Sequence, residues 1–341
     1  MPLPLLRLPE SVLRLTVSSM EFLDMLTIGL CSEKSRKLVA SLEFESLYSS
    51  MNFGETPSFN IVFRNNIELI MHLNSTRSVR YAGFITEIQV DSVDVEYGTT
   101  DERVFLHEDP ITNTTWTRPE WSFQDWAKFI IEIFGKFEAI CFDTNSGIYH
   151  LPSLELQLQG LHENLVLVQE ECPKWYHLLV YHIFQPLNGS CIRTNPYPDF
   201  VSFQRLIYQN FRYLEFSADC PVALEELSMT NSKTLELNNC TSITAEDINR
   251  FIKLWQKGSN GAMIFMAIRI PVGEVWEIEK VLKGTKYQVA PQERELEMRN
   301  EKYVKYTVTG GYDVRGKNGR VATVKIVLNN RRDCLEFHVW P

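Results

Sequence analysis

Apolar residues recur at helical spacing three times within the first forty-odd positions of the chain. Pro9 suits a first helical turn, because its missing N–H is not needed there. Val12, Leu13, Thr16, Val17 and Met20 follow at the helix period. A second stretch holds Phe22, Leu23, Met25, Leu26 and Leu30, interrupted by Asp24 and Thr27. Ser32 is a suitable N-cap for a third helix, with Glu33 in the first turn where the helix dipole favours an acid. Lys34, Arg36 and Lys37 are assigned to its wet side, and Leu38, Val39 and Leu42 to its buried side. Three such helices carry more apolar surface than roughly 40 residues can bury alone. The segment therefore docks on the rest of its own chain or on a partner.

After Glu43 the period shortens. Residues 59–63 and 67–73 are short apolar runs, and 86–95 alternates through Ile88, Val90, Val93 and Val95, the pattern of one strand. Residues 97–121 read as turn and loop, 124–137 as a helix (Trp126, Phe129, Ile130, Ile133, Phe134) and 139–142 as a short strand. Leu154, Leu156 and Leu158 alternate as a strand, 173–184 reads as a helix and 213–216 as a strand. The run Leu235-Glu236-Leu237-Asn238-Asn239-Cys240 is a further strand, followed by a helix. That helix has Thr244 as N-cap, Glu246 and Asp247 in its first turn, a stripe of Ile248, Phe251, Ile252 and Trp255, and Gly258 as C-cap. Residues 263–270, 303–309, 321–328 and 334–340 read as strands. The L-x-L-x-N-C strand and its helix resemble one turn of a leucine-rich repeat, but the period is not sustained, so the region is repeat-like and not a solenoid. The expected fold class is α+β: a small N-terminal three-helix segment, then a mixed α/β domain with leucine-rich-repeat-like strand–helix units and a strand-rich C-terminus.

Composition narrows the function. The chain has 341 residues, 44% hydrophobic and 23% charged, which is ordinary for a globular protein of about two domains. With 34 basic and 43 acidic residues the net charge is −9, which argues against a dedicated nucleic-acid binder. Charge is uneven. Between Ile85 and Pro110, Glu87, Asp91, Asp94, Glu96, Asp101, Glu102, Glu108 and Asp109 face Arg103 alone, whereas from Trp276 to the end thirteen bases face nine acids. The acidic stretch reads first as a solvated face. Seven scattered cysteines, none in C-x-x-C, fit reduced thiols in an intracellular protein, cytoplasmic or nuclear. The N-x-S/T triplets at Asn74, Asn113, Asn188 and Asn239 then read as chance. The N-terminus lacks a basic start leading into an uninterrupted apolar core, and no apolar run reaches about 18 residues, so neither a signal peptide nor a membrane span is expected.

Catalytic patterns are weak. The run from Gly311 to Lys317 has phosphate-loop spacing, but Asn318 stands where a metal-binding hydroxyl belongs and a strand follows, so a β-hairpin is expected. His107-Glu108-Asp109 has no second histidine at helical spacing. His177 and His182 are five apart and not on one helix face, and read as surface or locally satisfied residues. No spacing of Asp, Glu or Cys picks out an acid–base pair or an activated thiol. The expectation is a non-enzymatic protein with no cofactor and no metal.

Leu8-Pro9-Glu10-x-Val12-Leu13, the apolar second helix ending Leu30-Cys31-Ser32, and the basic third helix ending Leu38-Val39 resemble an F-box over residues 4–43. The remainder, 55–341, is similar to nematode F-box proteins with a type 2 F-box-associated domain, most closely over about 200–341. The matching stretches run from Ser232 to Leu237, Ile248 to Trp255, Gly258 to Asn260 and Tyr312 to Thr323, with Val339-Trp340. This resemblance implies a substrate-recognition adaptor of a Skp1–cullin–F-box (SCF) ubiquitin ligase. Its F-box would dock on a Skp1-like adaptor and through it on a cullin, and its C-terminal domain would bind an unknown protein target. Apolar helices of this kind fit a hydrophobic groove; the candidate contacts are Leu8, Pro9, Val12, Leu13, Leu23, Leu26 and Leu30. One departure stands out: Glu21-Phe22 replaces the Asp-Pro of many relatives at the start of helix two. The alternative is a non-ligase scaffold whose F-box-like helices pack intramolecularly.

Overall fold

Pro9 leads into the first helix in extended backbone (φ −53°, ψ 143°), and its carbonyl accepts from Leu13 N at 2.9 Å. In this computed structural model the described residues are 8–63, 67–75, 78–99, 112–169, 171–192, 200–217, 222–238, 242–271, 273–299, 305–317, 319–328 and 333–340. His107-Glu108-Asp109, the C-terminal part of the acidic stretch, Cys220, Asn239, Cys240 and Asn318 fall outside them. The chain divides into two compact units, Met1–Glu163 and Asn164–Pro341.

The first unit opens with α1 (Glu10–Ser18), α2 (Phe22–Cys31) and α3 (Glu33–Ala40). At the end of α1 the hydroxyls of Ser18 and Ser19 donate to the carbonyls of Leu15 and Thr16, acceptors the last turn leaves open, and the Thr16 hydroxyl donates to the Val12 carbonyl within the helix. Ser32 caps α3 in a reciprocal box with Ser35. Strands β1 (Ser46–Phe53), β2 (Ser58–Phe63), β3 (Ile67–Asn74), β4 (Val79–Tyr81), β5 (Phe84–Glu87), β6 (Ser92–Thr99) and β7 (Thr112–Trp116) follow, then α4 (Phe123–Phe134), β8 (Phe137–Phe142) and α5 (Leu151–Leu158). Within this unit the sheet runs β8-β1-β2-β3-β6-β7, with β1–β8 parallel and the other pairs antiparallel. β4 and β5 form a separate hairpin.

Four expectations are corrected here. Residues 97–121 are not turn and loop throughout: β6 continues to Thr99, and Thr112–Trp116 is the strand β7 paired with it. The 86–95 run is not one strand: Ile88 and Val90 are buried in a connection between β5 and β6, where Gln89 bridges Ser122 and Asp91 N donates to Asn74 O. The helix over 124–137 stops at Phe134, because Gly135 takes φ 89° and releases Phe137 into a strand. Leu154–Leu158 is helical: Leu151, Leu154 and Leu158 recur at i, i+3 and i+7 and are buried, and Leu156 is left 64% exposed.

β9 (His162–Val168) begins on the last two residues of the first unit, and from it through the second unit α6 (Lys174–Ile183), β10 (Gly189–Ile192), α7 (Phe200–Ile207), β11 (Tyr213–Ser217), α8 (Leu224–Met229), β12 (Thr234–Asn238), α9 (Ala245–Gln256) and β13 (Phe265–Arg269) alternate. The five strands are parallel neighbours in chain order. Strand starts at 162, 189, 213, 234 and 265 are unevenly spaced, which is why no repeat period is legible. After α10 (Ile278–Val281) come β14 (Tyr287–Val289), β15 (Glu295–Arg299), β16 (Lys305–Thr309), β17 (Tyr312–Arg315), β18 (Val321–Val327) and β19 (Cys334–Val339). β19 joins β13 antiparallel, and the order continues β18, β17, β14; β15 and β16 pair with each other. One face carries the buried rows Leu214–Leu235–Met266–Phe337–Val324 and Phe216–Leu237–Ile268–Leu335. Trp255 of α9 covers Phe337 edge-on at 5.1 Å.

Candidate partner-binding site

Helix α1 has apolar residues on two faces. Leu13 and Val17, four apart, are buried. Val12 and Leu15, three apart, point outward and are 45% and 71% exposed. Pro9 is exposed and Leu8 half-buried just before them. Arg14 reaches from this helix to the carbonyl of Ser41 after α3, tying the ends of the three-helix segment together.

The residues of α2 point inward. Leu23, Met25, Leu26, Gly29 and Leu30 are buried, and Gly29 lies so close to α4 that a Cβ would stand 3.4 Å from Phe129. Of the seven sequence-derived candidates, Leu13, Leu23, Leu26 and Leu30 are therefore interior, whereas Pro9, Val12 and part of Leu8 are presented to solvent. Leu15 was not among them, although Leu8, Val12 and Leu15 recur at i, i+4 and i+7, a signal present in the sequence.

Phe22 explains the unusual start of α2. Its ring stacks on Tyr97 at 4.6 Å and meets Phe63 at 5.3 Å, Phe44 at 5.4 Å and Phe134 at 6.3 Å. It occupies the first helical position, where proline would also be tolerated, but a proline ring could not fill this aromatic cluster of α2, β2, β6 and α4. Arg36 is likewise not on a wet face. It pairs with Glu132 of α4 at 2.7 Å, and its guanidinium lies 6.0 Å from the Trp121 ring. Arg118 approaches the same ring at 5.8 Å and donates to the carbonyl of Leu30 at the end of α2. Lys37 does face water, in an exposed pair with Glu33 at 2.6 Å that lowers the Glu33 pKa and raises that of Lys37.

Hydrogen bonds from Thr115 and Ser122 lower the pKa values of Asp94 and Asp125, and burial shifts several other groups. Glu138 is pushed up to about 7 by desolvation and then by Glu163, and His162 down to about 4 by desolvation and then by Lys136. Burial raises the Cys334 thiol to about 11 and raises Tyr213, whose hydroxyl donates to Glu215. Of the two readings of His177, surface or locally satisfied, the surface one does not hold: the ring is fully buried, and burial lowers its pKa against the raising effect of backbone hydrogen bonds to Cys172 and Gln169. No group of three or more His, Cys, Asp or Glu that could hold a metal occurs among the described residues. None of the five described cysteines is disulfide-bonded. The Gly311–Lys317 run forms the β17–β18 hairpin, closed by Gly316 N to Arg320 O at 2.8 Å. No helix among the described residues is long and apolar enough to cross a membrane.

Comparison with known proteins bears on this arrangement at two places. The family model described as F-box domain matches residues 5–47, which hold α1 to α3, and the model described as F-box associated matches residues 202–268, from within α7 to β13. No curated protein and no solved structure matches the chain. F-box domains bind Skp1-like adaptors in SCF complexes. An F-box found together with an F-box-associated domain connects this protein with SCF ubiquitin ligases and with protein–protein interaction.

Proposed function

We propose that the protein is a non-enzymatic substrate receptor of an SCF-type ubiquitin ligase. Its F-box, taken as residues 4–43, docks on a Skp1-like adaptor and through it on a cullin, and the region 55–341 holds a protein target for modification. The role is exercised inside the cell, in cytoplasm or nucleus. The observation that carries this reading is the two-faced helix α1: Leu13 and Val17 satisfy the interior, and Val12 and Leu15 remain exposed beside Pro9. An exposed apolar stripe on a short helix fits a hydrophobic groove on a partner. The assignment to the nematode type 2 subgroup belongs to the same proposal and rests on the likeness of the Ser232–Leu237 and Tyr312–Thr323 stretches.

Capture on an immobilised Skp1-like protein tests it. The wild-type chain is retained, and a Val12→Asp, Leu15→Asp variant loses at least about tenfold in retention while its unfolding midpoint moves by only about 2 °C. Leu13 is the wrong probe, since an aspartate there would disturb the interior. Equal retention of both chains sinks the proposal.

The packing of α2 and α3 on α4 favours a second reading, a scaffold whose F-box-like helices serve only their own unit. Failure of the wild-type chain to be retained would select it.

A further inference from the structure

We propose that the outer edge of β14 captures an extended, acidic peptide segment as an added strand. β14 stands at the end of the strand order of the second unit, paired on one side with β17 and, among the described residues, on the other with no strand. Ala290 N donates to the directly opposite Gly311 O at 2.9 Å. Hydrogen-bonded pairs alternate along an antiparallel ladder, so Gln288 faces Asp313 as the next bonded pair. The N–H and C=O groups of Tyr287 and Val289 therefore point away from β17, toward open solvent.

The side chains around this edge decide what it takes. Tyr287 and Val289 are 46% and 68% exposed. A short, charged edge ordinarily protects a sheet from pairing, but two exposed apolar residues flanking open backbone groups do the reverse. A cavity of about 550 Å³ lies at the start of the strand, lined by Tyr287 and Gln288 of β14, by Asp313 and Arg315 of its neighbour β17 and by Gln256 of α9, and Lys286 and Arg315 bring it positive charge one step beyond the Tyr287–Val314 pair. Neither cation has a carboxylate partner among the described residues. The one acid lining the cavity, Asp313, is already engaged by Arg294 at 2.7 and 3.1 Å and by Thr323 at 2.6 Å. The uncompensated charge is thus positive, and the occupant it fits is a strand bearing Asp or Glu. Backbone pairing supplies the grip, and alternate side chains with their charge supply the selection.

The proposal deepens the receptor reading, on which it rests for the identity of the peptide as part of a target. Its test uses the full chain and a short fluorescent peptide of alternating Val and Glu, with a Val–Lys peptide as the opposite charge. The acidic peptide binds, and the basic one binds at least about tenfold more weakly. Val289→Pro removes only an outward N–H, a substitution edge strands accept, and weakens binding of the acidic peptide about tenfold or more. A Lys286→Glu, Arg315→Glu variant, which leaves the backbone alone, also loses it. No binding by wild type, equal binding of the two peptides, or binding indifferent to both variants overturns the proposal. Retention on a Skp1-like protein, read on the same samples, reports on the receptor assignment separately: Val289→Pro leaves it unchanged.

Discussion

Phe22 shows how one residue converts a surface module into an integrated one. In the F-box likeness the position is marked by a missing proline, a departure that weakens the match at the join between the first two helices. In the structure the same ring makes four aromatic contacts, with Tyr97, Phe63, Phe44 and Phe134, stacked on the first and edge-on to the next two. Phe22→Ala is expected to cost about 2–3 kcal/mol, somewhat below a fully buried phenylalanine because the residue is half-buried. Phe22→Pro should preserve the helix start and cost a similar amount. Urea denaturation of the full chain checks both, and a loss under about 0.5 kcal/mol for Phe22→Ala would show the cluster to be unimportant. The sequence marks Phe22 as unusual without saying why, because its partners lie 22 to 112 positions away on elements whose pairing no local pattern reveals. Arg36 is a parallel case. Beside Lys34 and Lys37 it reads as one more wet cation, but its partners Glu132 and Trp121 are supplied by a distant helix and loop.

At the scale of elements, capping chemistry was readable and period was not always. Ser32 and Thr244 were recognisable as N-caps from the chain alone, and each closes a reciprocal box in the structure. In the box of α9, the Thr244 hydroxyl contacts the Asp247 carboxylate at 2.7 Å. Ambiguity arose where leucines alternate. Leu154, Leu156 and Leu158 satisfy a two-residue period, and only Leu151, one turn earlier, reveals the helix by placing 151, 154 and 158 on one face. A matched pair of substitutions separates the two geometries. A strand with all three leucines on one face would treat Leu154→Glu and Leu156→Glu alike, whereas in this helix Leu156→Glu changes stability by no more than about 0.5 kcal/mol and Leu154→Glu costs several. Comparable melting shifts for the two variants would contradict the helix. Strand β1 has no legible period for the opposite reason. Its sequence, SLYSSMNF, is rich in serine, and Ser49 and Ser50 are buried by its position between β2 and β8 in the sheet, not by hydrophobicity.

For the first unit as a whole, the surplus of apolar surface on the three N-terminal helices resolves into two destinations. Most of it is consumed internally: α2 places Leu23, Leu26 and Leu30 in the interior and sets Gly29 against Phe129 and Ile133, and α3 is clamped to α4 through Arg36 and Glu132. The remainder, Val12 and Leu15, stays outside. The sequence pattern gave the amount of surplus but not its partition, because the faces of a helix are distinguishable only when the surface it leans on is known. This partition makes the two manipulations of the segment diverge. Removing residues 1–42 strips cover from Phe129, Ile133, Phe134, Phe63 and Tyr97 together, and that much apolar exposure is enough to exhaust a stability of about 5–15 kcal/mol. The truncated chain should lose the cooperative unfolding transition of the first unit or aggregate, and its near-ultraviolet circular dichroism should flatten. The Val12→Asp, Leu15→Asp chain should keep both signals. A truncated chain that stays soluble with an unchanged first transition would mean that α2 and α3 merely rest on the unit, and the three helices would then be a detachable module in the sense first suggested by their length.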